Sequence, residues 1–265
     1  MGYIGENTKM GWIIKSKKNS KPKSMVLIEG LPGIGSVGKI AVDFLIDDLK
    51  AEKIASFYST KLPHLAFVNE DNIVELPSIE IYKKVIRNKT LFFIAGDVQP
   101  LDEVSCYEFC EEVLKLCKQN NCEEIITLGG IGLRNIPKNP KVYCTGNDKN
   151  IIKRYKGYNV LNNINKLSGP IIGVNGVLVG LAKNFNIAGV SILAETYGHP
   201  AYFGLKGARA LLNILDKRFR LGLNFRDFGE EAKRFRNEFD LPKLDKKIKE
   251  INVDKEQDGK IGYIG

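Results

Sequence analysis

The chain has 265 residues, is 43% hydrophobic and carries a formal net charge of +9. Such a length supports one large domain or two small ones with a core that needs no disulfides. No apolar run approaches the roughly 20 residues of a membrane helix, and the glycine-rich, polar residues 1–12 do not resemble a secretory segment, so a cytoplasmic protein without membrane contact is expected.

The positive charge invites a nucleic-acid reading, and its distribution argues against one. Much of the local excess sits in one arm, at Lys15, Lys17, Lys18, Lys21 and Lys23, whereas elsewhere both signs mix, as in Glu230-Glu231 against Lys233-Arg234. No RNA-binding aromatic signature or zinc-finger spacing is present, so no specific nucleic-acid partner is expected.

In chain order, residues 25–28 form an apolar run that reads as a buried strand, and residues 37–49 carry the period of a following helix. Residues 65–68, 73–76 and 79–85 are short strand-like runs separated by polar turns such as Asn69-Glu70-Asp71-Asn72, a pattern of antiparallel hairpins at a sheet edge. Residues 91–95 predict a strand ending at Gly96-Asp97, and residues 105–119 a helix. Cys106, Cys110 and Cys117, spaced by four and seven, share one face of that helix and read as small buried hydrophobes; with Cys122 and Cys144 they make five cysteines, an odd number that fits a reducing compartment. No metal site is expected. Residues 125–128 predict a further strand, and Gly129-Gly130-Ile131-Gly132 a flexible turn after it.

The second half repeats this rhythm with a helix over 177–185, a strand over 189–193 and an amphipathic helix over 200–215 that has Pro200 in its first turn. Composition shifts near Leu221 to charged amphipathic helices over 225–239 and 241–251, separated at Pro242, and then to a polar tail ending in Ile261-Gly262-Tyr263-Ile264-Gly265. The expected organisation is a basic arm over 1–24, an α/β core over 25–220, a helical extension over 221–251 and a flexible tail over 252–265. Alternating strands and helices predict a mixed, mostly parallel sheet in that core.

Between the first strand and its helix lies Leu31-Pro32-Gly33-Ile34-Gly35-Ser36-Val37-Gly38-Lys39. Gly33, Gly35 and Gly38 fit a dinucleotide fingerprint, and Gly33 to Lys39 also fit the start of a phosphate loop. The position that should bind magnesium through a hydroxyl is Ile40, and no acidic residue stands where a ribose would need one. The loop therefore reads foremost as a strand-to-helix turn that needs glycine for its backbone, with anion binding by Gly33, Gly35, Gly38 and Lys39 as the alternative. No cofactor is expected.

Carboxylates at strand ends are the natural catalytic candidates in such a fold: Asp97 and Glu195. Each is equally suited to capping a helix or holding a neighbouring N–H. His199 follows Glu195 by four residues, but no serine or cysteine stands in a nucleophile-elbow sequence. What survives on the enzymatic side is an enzyme acting on a nucleoside or other phosphate-bearing molecule, with the Gly33 turn as anion cradle and Asp97 or Glu195 as acid or base.

Five segments in order resemble the archaeal members of the proteasome assembly chaperone family: Gly30 to Gly38, Gly96-Asp97-Val98-Gln99-Pro100, Leu128-Gly129-Gly130-Ile131, Val174 to Ala182, and Glu195-Thr196-Tyr197-Gly198. The resemblance implies a three-layer α/β/α sandwich akin to the phosphorylase/hydrolase-like fold, a homo-oligomer, and a noncatalytic role in binding proteasome α subunits during ring assembly. Such proteins can carry a terminal hydrophobic-Tyr-any-residue motif. Here tyrosine is third from the end, so only apolar anchoring by Ile261, Tyr263 and Ile264, with the Gly265 carboxylate, is carried over.

Overall fold

A computed structural model describes residues 12–16, 21–161 and 169–230. At its centre, strand β2 (Met25–Glu29) is buried along its whole length, with Val26 and Ile28 in one core layer and Met25 and Leu27 in the other. A strand covered on both faces must be apolar throughout, which is why this run shows no alternation.

Around it stand β1 (Ile13–Ser16), β3 (Glu52–Tyr58), β6 (Ile79–Ile86), β7 (Lys89–Gly96), β8 (Cys122–Leu133), β9 (Val142–Gly146) and β10 (Ala188–Tyr197) in the order β1-β3-β6-β7-β2-β8-β10-β9. The strands β7, β2, β8 and β10 are mutually parallel, and every other neighbouring pair is antiparallel. The sheet is thus mixed, with a parallel centre and antiparallel flanks, and not mostly parallel. On one flank β1, β3, β6 and β7 pair antiparallel in succession, and on the other β9 pairs back onto β10, which accounts for the difference.

Helices α1 (Val37–Asp48) and α5 (Leu205–Phe219) cover one face, and α2 (Glu103–Gln119) and α4 (Val174–Ala182) the other; α3 (Lys149–Lys153) is a short connector after β9. Cys106, Cys110 and Cys117 are buried along α2, as their spacing predicts. The polar turn at residues 69–72 joins β4 (Phe67–Val68) to β5 (Val74–Glu75), a separate two-stranded hairpin. By contrast β6, expected at an edge, lies inside the sheet between β3 and β7.

Three local expectations change. Gly129-Gly130-Ile131-Gly132 is not a turn but the buried continuation of β8. A Cβ on Gly130 would lie 2.2 Å from the Ile34 carbonyl oxygen, so the residue permits close packing of strand and loop. Pro200 lies outside α5, which begins at Leu205. In the basic arm, residues 13–16 pair with β3, and Trp12 packs on Phe57 and Phe109 with ring centroids 6.2 and 4.8 Å away.

Residues 225–230 are helical, and Phe228 stacks edge-on against Phe44 of α1 at 5.0 Å. The rest of the expected helical extension and the tail, with Ile261, Tyr263, Ile264 and Gly265, lie outside the described residues.

Candidate functional site

The glycine turn leaves the carboxyl end of β2 and is held from three sides. Gly35 adopts φ +62°, a left-handed conformation that disfavours side chains. Its carbonyl accepts the Gly204 N–H at 2.7 Å, and a Cβ on it would stand 2.7 Å from Thr196 Oγ1 of β10. At the second residue of α1, a Cβ on Gly38 would lie 2.0 Å from the Leu128 carbonyl oxygen, so the helix rides directly on β8. Lys39 turns away along α1 to pair with Asp43 at 2.9 Å. A phosphate lysine must instead reach back over the loop.

Beneath the turn is a narrow crevice with a cavity volume of only about 10 Å³, lined by Glu29, Gly33, Gln99, Gly129 and Asn175 among others. It lies at the carboxyl end of β2 against Leu128, Gly129 and Gly130 of the neighbouring β8, and carboxyl ends of strands are where open α/β sheets bind ligands. The volume gives room for about one water molecule, far below the roughly 300–1,000 Å³ of small-molecule sites. Gln99 braces its mouth: Nε2 donates to the Pro32 carbonyl at 2.6 Å, and Oε1 accepts from Val174 N at the start of α4 at 3.3 Å. Deeper in, Asn175 Oδ1 accepts from Thr127 Oγ1 and Ser191 Oγ at 2.6 and 2.5 Å.

The titratable group of the crevice is an acid. Glu29, 2% exposed, accepts the Leu31 N–H on Oε1 at 2.7 Å, while Oε2 is buried without a hydrogen-bond partner. Burial pushes its carboxyl up to about 8, against the smaller opposing effect of the Leu31 hydrogen bond. The tight space and a lysine directed elsewhere give this turn the geometry of a packed junction, not of an anion cradle.

The two catalytic candidates stay apart. Asp97 follows β7, where Oδ2 accepts from Ser78 N and Ser78 Oγ at 3.1 and 3.3 Å. Glu195 lies within β10, not after it; Oε2 accepts Lys141 N at 2.9 Å and Oε1 accepts the Tyr143 hydroxyl at 3.1 Å, fastening β10 to β9. Strands β2 and β8 stand between their strands, a lateral spacing of roughly 14 Å. His199 accepts Ala201 N on Nδ1 and stacks on Tyr197. These carboxylates act as backbone clamps and do not converge on a common reacting position.

Sequence reasoning missed Glu29 and a second buried acid, Glu124. The latter accepts the Tyr155 hydroxyl on Oε1 and Arg218 Nη2 on Oε2, each at 2.5 Å, and the Arg218 guanidinium lies 4.2 Å from the Tyr155 ring. The available signal was the same in both cases: a glutamate attached to a run otherwise apolar enough to be a fully buried strand.

The family model described as PAC2 matches residues 27–241. The chain belongs to the PAC2 family. An uncharacterized protein of Methanocaldococcus jannaschii, MJ1210, is 28% identical over 222 residues, covering 83% of this chain and 84% of its own. The crystal structure of Pyrococcus furiosus PbaB, an archaeal proteasome activator, superposes with a TM-score of 0.80 at 29% identity, covering 89% of this PAC2 chain and 99% of PbaB. Pyrococcus furiosus PbaA, an archaeal homolog of proteasome-assembly chaperone, shares the fold with a TM-score of 0.70 at 22% identity, covering 91% and 95%. Within this PAC2 chain the glycine turn, Gln99 and Asn175 together build the junction of β2, β8, α1 and α4.

Proposed function

We propose that this chain is a noncatalytic, homo-oligomeric binding protein of the proteasome system, acting in the cytoplasm and holding proteasome α subunits in part through Ile261, Tyr263, Ile264 and Gly265. The observation that carries the reading is the likeness to PbaB in both sequence and fold over nearly the whole of that chain. Fold alone would not support it, since one fold hosts many functions.

Two features of the surface and the crevice support the same reading. The β4–β5 hairpin exposes Val68, Ile73, Val74 and Leu76, each at least 56% accessible. An isolated hairpin is marginal in water, and a clustered apolar surface favours a protein contact, here self-association. The crevice is far too small for a nucleotide. An oligomer presenting several tails to a ring of repeated pockets gains affinity through effective concentration.

The test is capture of purified α subunits by the full-length chain, with mass measured by light scattering. Stable co-elution with a chain larger than a monomer is expected. Turnover of a nucleoside that Asp97→Asn or Glu195→Gln abolishes would replace this reading with the enzymatic one.

A further inference from the structure

At the end of the sheet opposite the glycine turn, Arg87, Lys89, Arg218 and Arg220 line a cleft of about 370 Å³, with Phe219 on its wall. That volume lies in the usual range for ligand sites. No carboxylate lines it. The charge of Arg218 is answered by Glu124 beneath the wall, but Arg87, Lys89 and Arg220 form no ion pair among the described residues.

The backbone makes two of these residues unexpected. Ile86 pairs with Lys89, so Arg87 and Asn88 form the two-residue turn between β6 and β7, and Arg87 adopts φ +55°. Arg220 ends α5 at φ +54°, in the left-handed capping position. Both positions favour glycine or asparagine. Folding is therefore served worse by arginine than by glycine at each, and bringing like charges together adds repulsion. Two unrelated chain segments accept that cost while placing arginines in the lining of one cleft.

We propose that this cleft binds a phosphate-bearing anion. Guanidinium forks match phosphate oxygens in pairs, and three uncompensated cations around one cleft suit a group that concentrates several negative charges, as a di- or triphosphate does and a single peptide carboxylate does not. The site is separate from the proteasome reading and stands or falls without it. A free polyphosphate, a nucleotide and a lipid headgroup offer the same chemistry.

The experiment is calorimetric titration of the full-length chain with inorganic tripolyphosphate and with ATP, and flotation with phosphatidylcholine vesicles with and without phosphatidic acid. Binding in any of these arms is expected, and the strongest arm identifies the source. Arg87→Gly and Arg220→Gly fit their backbone, so each is expected to raise the ligand-free Tm by roughly 2–4 °C while weakening binding at least about tenfold. Lys89→Ala, which leaves the turn geometry unchanged, is expected to weaken binding as well. No binding in any arm overturns the proposal. So does binding that survives all three substitutions, or a glutamate-rich peptide that binds as tightly as tripolyphosphate.

Discussion

The Gly204 N–H donates to the Gly35 carbonyl over 2.7 Å, tying the residue that precedes α5 to the turn that follows β2. Thr196 of β10 fills the space beside both glycines: a Cβ on either would come within 2.7 Å of its Oγ1. Gly35→Val should therefore destabilise the chain by about 2–4 kcal/mol, combining left-handed strain with overpacking. Urea denaturation reads this directly, and a loss below about 1 kcal/mol would show that the turn relaxes freely.

Glu29 makes stability depend on pH. Its carboxyl stands at about 8 in the fold against an ordinary 4.5. The fold thus favours the protonated acid: the contribution is complete below about 4.5 and is lost as pH rises through about 8. Glu29→Gln keeps an acceptor for the Leu31 N–H and should melt higher than the parent at pH 9, with the gap closing toward pH 5. The upper bound on that gap is on the order of 5 kcal/mol. Parallel melting curves of the two proteins across this range would refute the assignment.

Glu124 is held by Tyr155 and Arg218, and the Arg218 side chain is only 13% exposed. Removing the acid leaves a buried guanidinium without its counter-charge. Glu124→Ala should cost about 3–5 kcal/mol in denaturant. A cost under about 1 kcal/mol would mean that Arg218 reaches solvent once released.

What the sequence discloses follows the length scale of the physics. Apolar continuity in β2 and β7 and the cysteine spacing on α2 are local patterns, and they place those elements correctly. Gly130 misleads because glycine marks both turns and close approach, and only the position of Ile34 O distinguishes them. Strand β1 hides beside a run of lysines because its pairing with β3 is long-range. The site is legible only as a glycine turn: that Lys39 pairs with Asp43, and that Glu29 lies buried below, depends on side-chain directions no spacing rule encodes.

Asp97 and Glu195 serve as clamps for Ser78 and for Lys141 with Tyr143. Asp97→Asn and Glu195→Gln should each leave α-subunit association unchanged and lower stability by no more than about 1–2 kcal/mol. Pull-down with purified α subunits, alongside urea denaturation, checks both statements. Loss of association in a folded variant would move that residue from scaffold to contact surface.

The central claim is association with proteasome α subunits aided by the terminal residues. Calorimetric titration of an α ring with the full chain and with a chain lacking residues 257–265 tests it. The account predicts binding by the full chain, an unchanged melting temperature on truncation, and at least about a tenfold loss of affinity, or about 1.4 kcal/mol. Absence of binding by the full chain, or equal affinity for both forms, would contradict it.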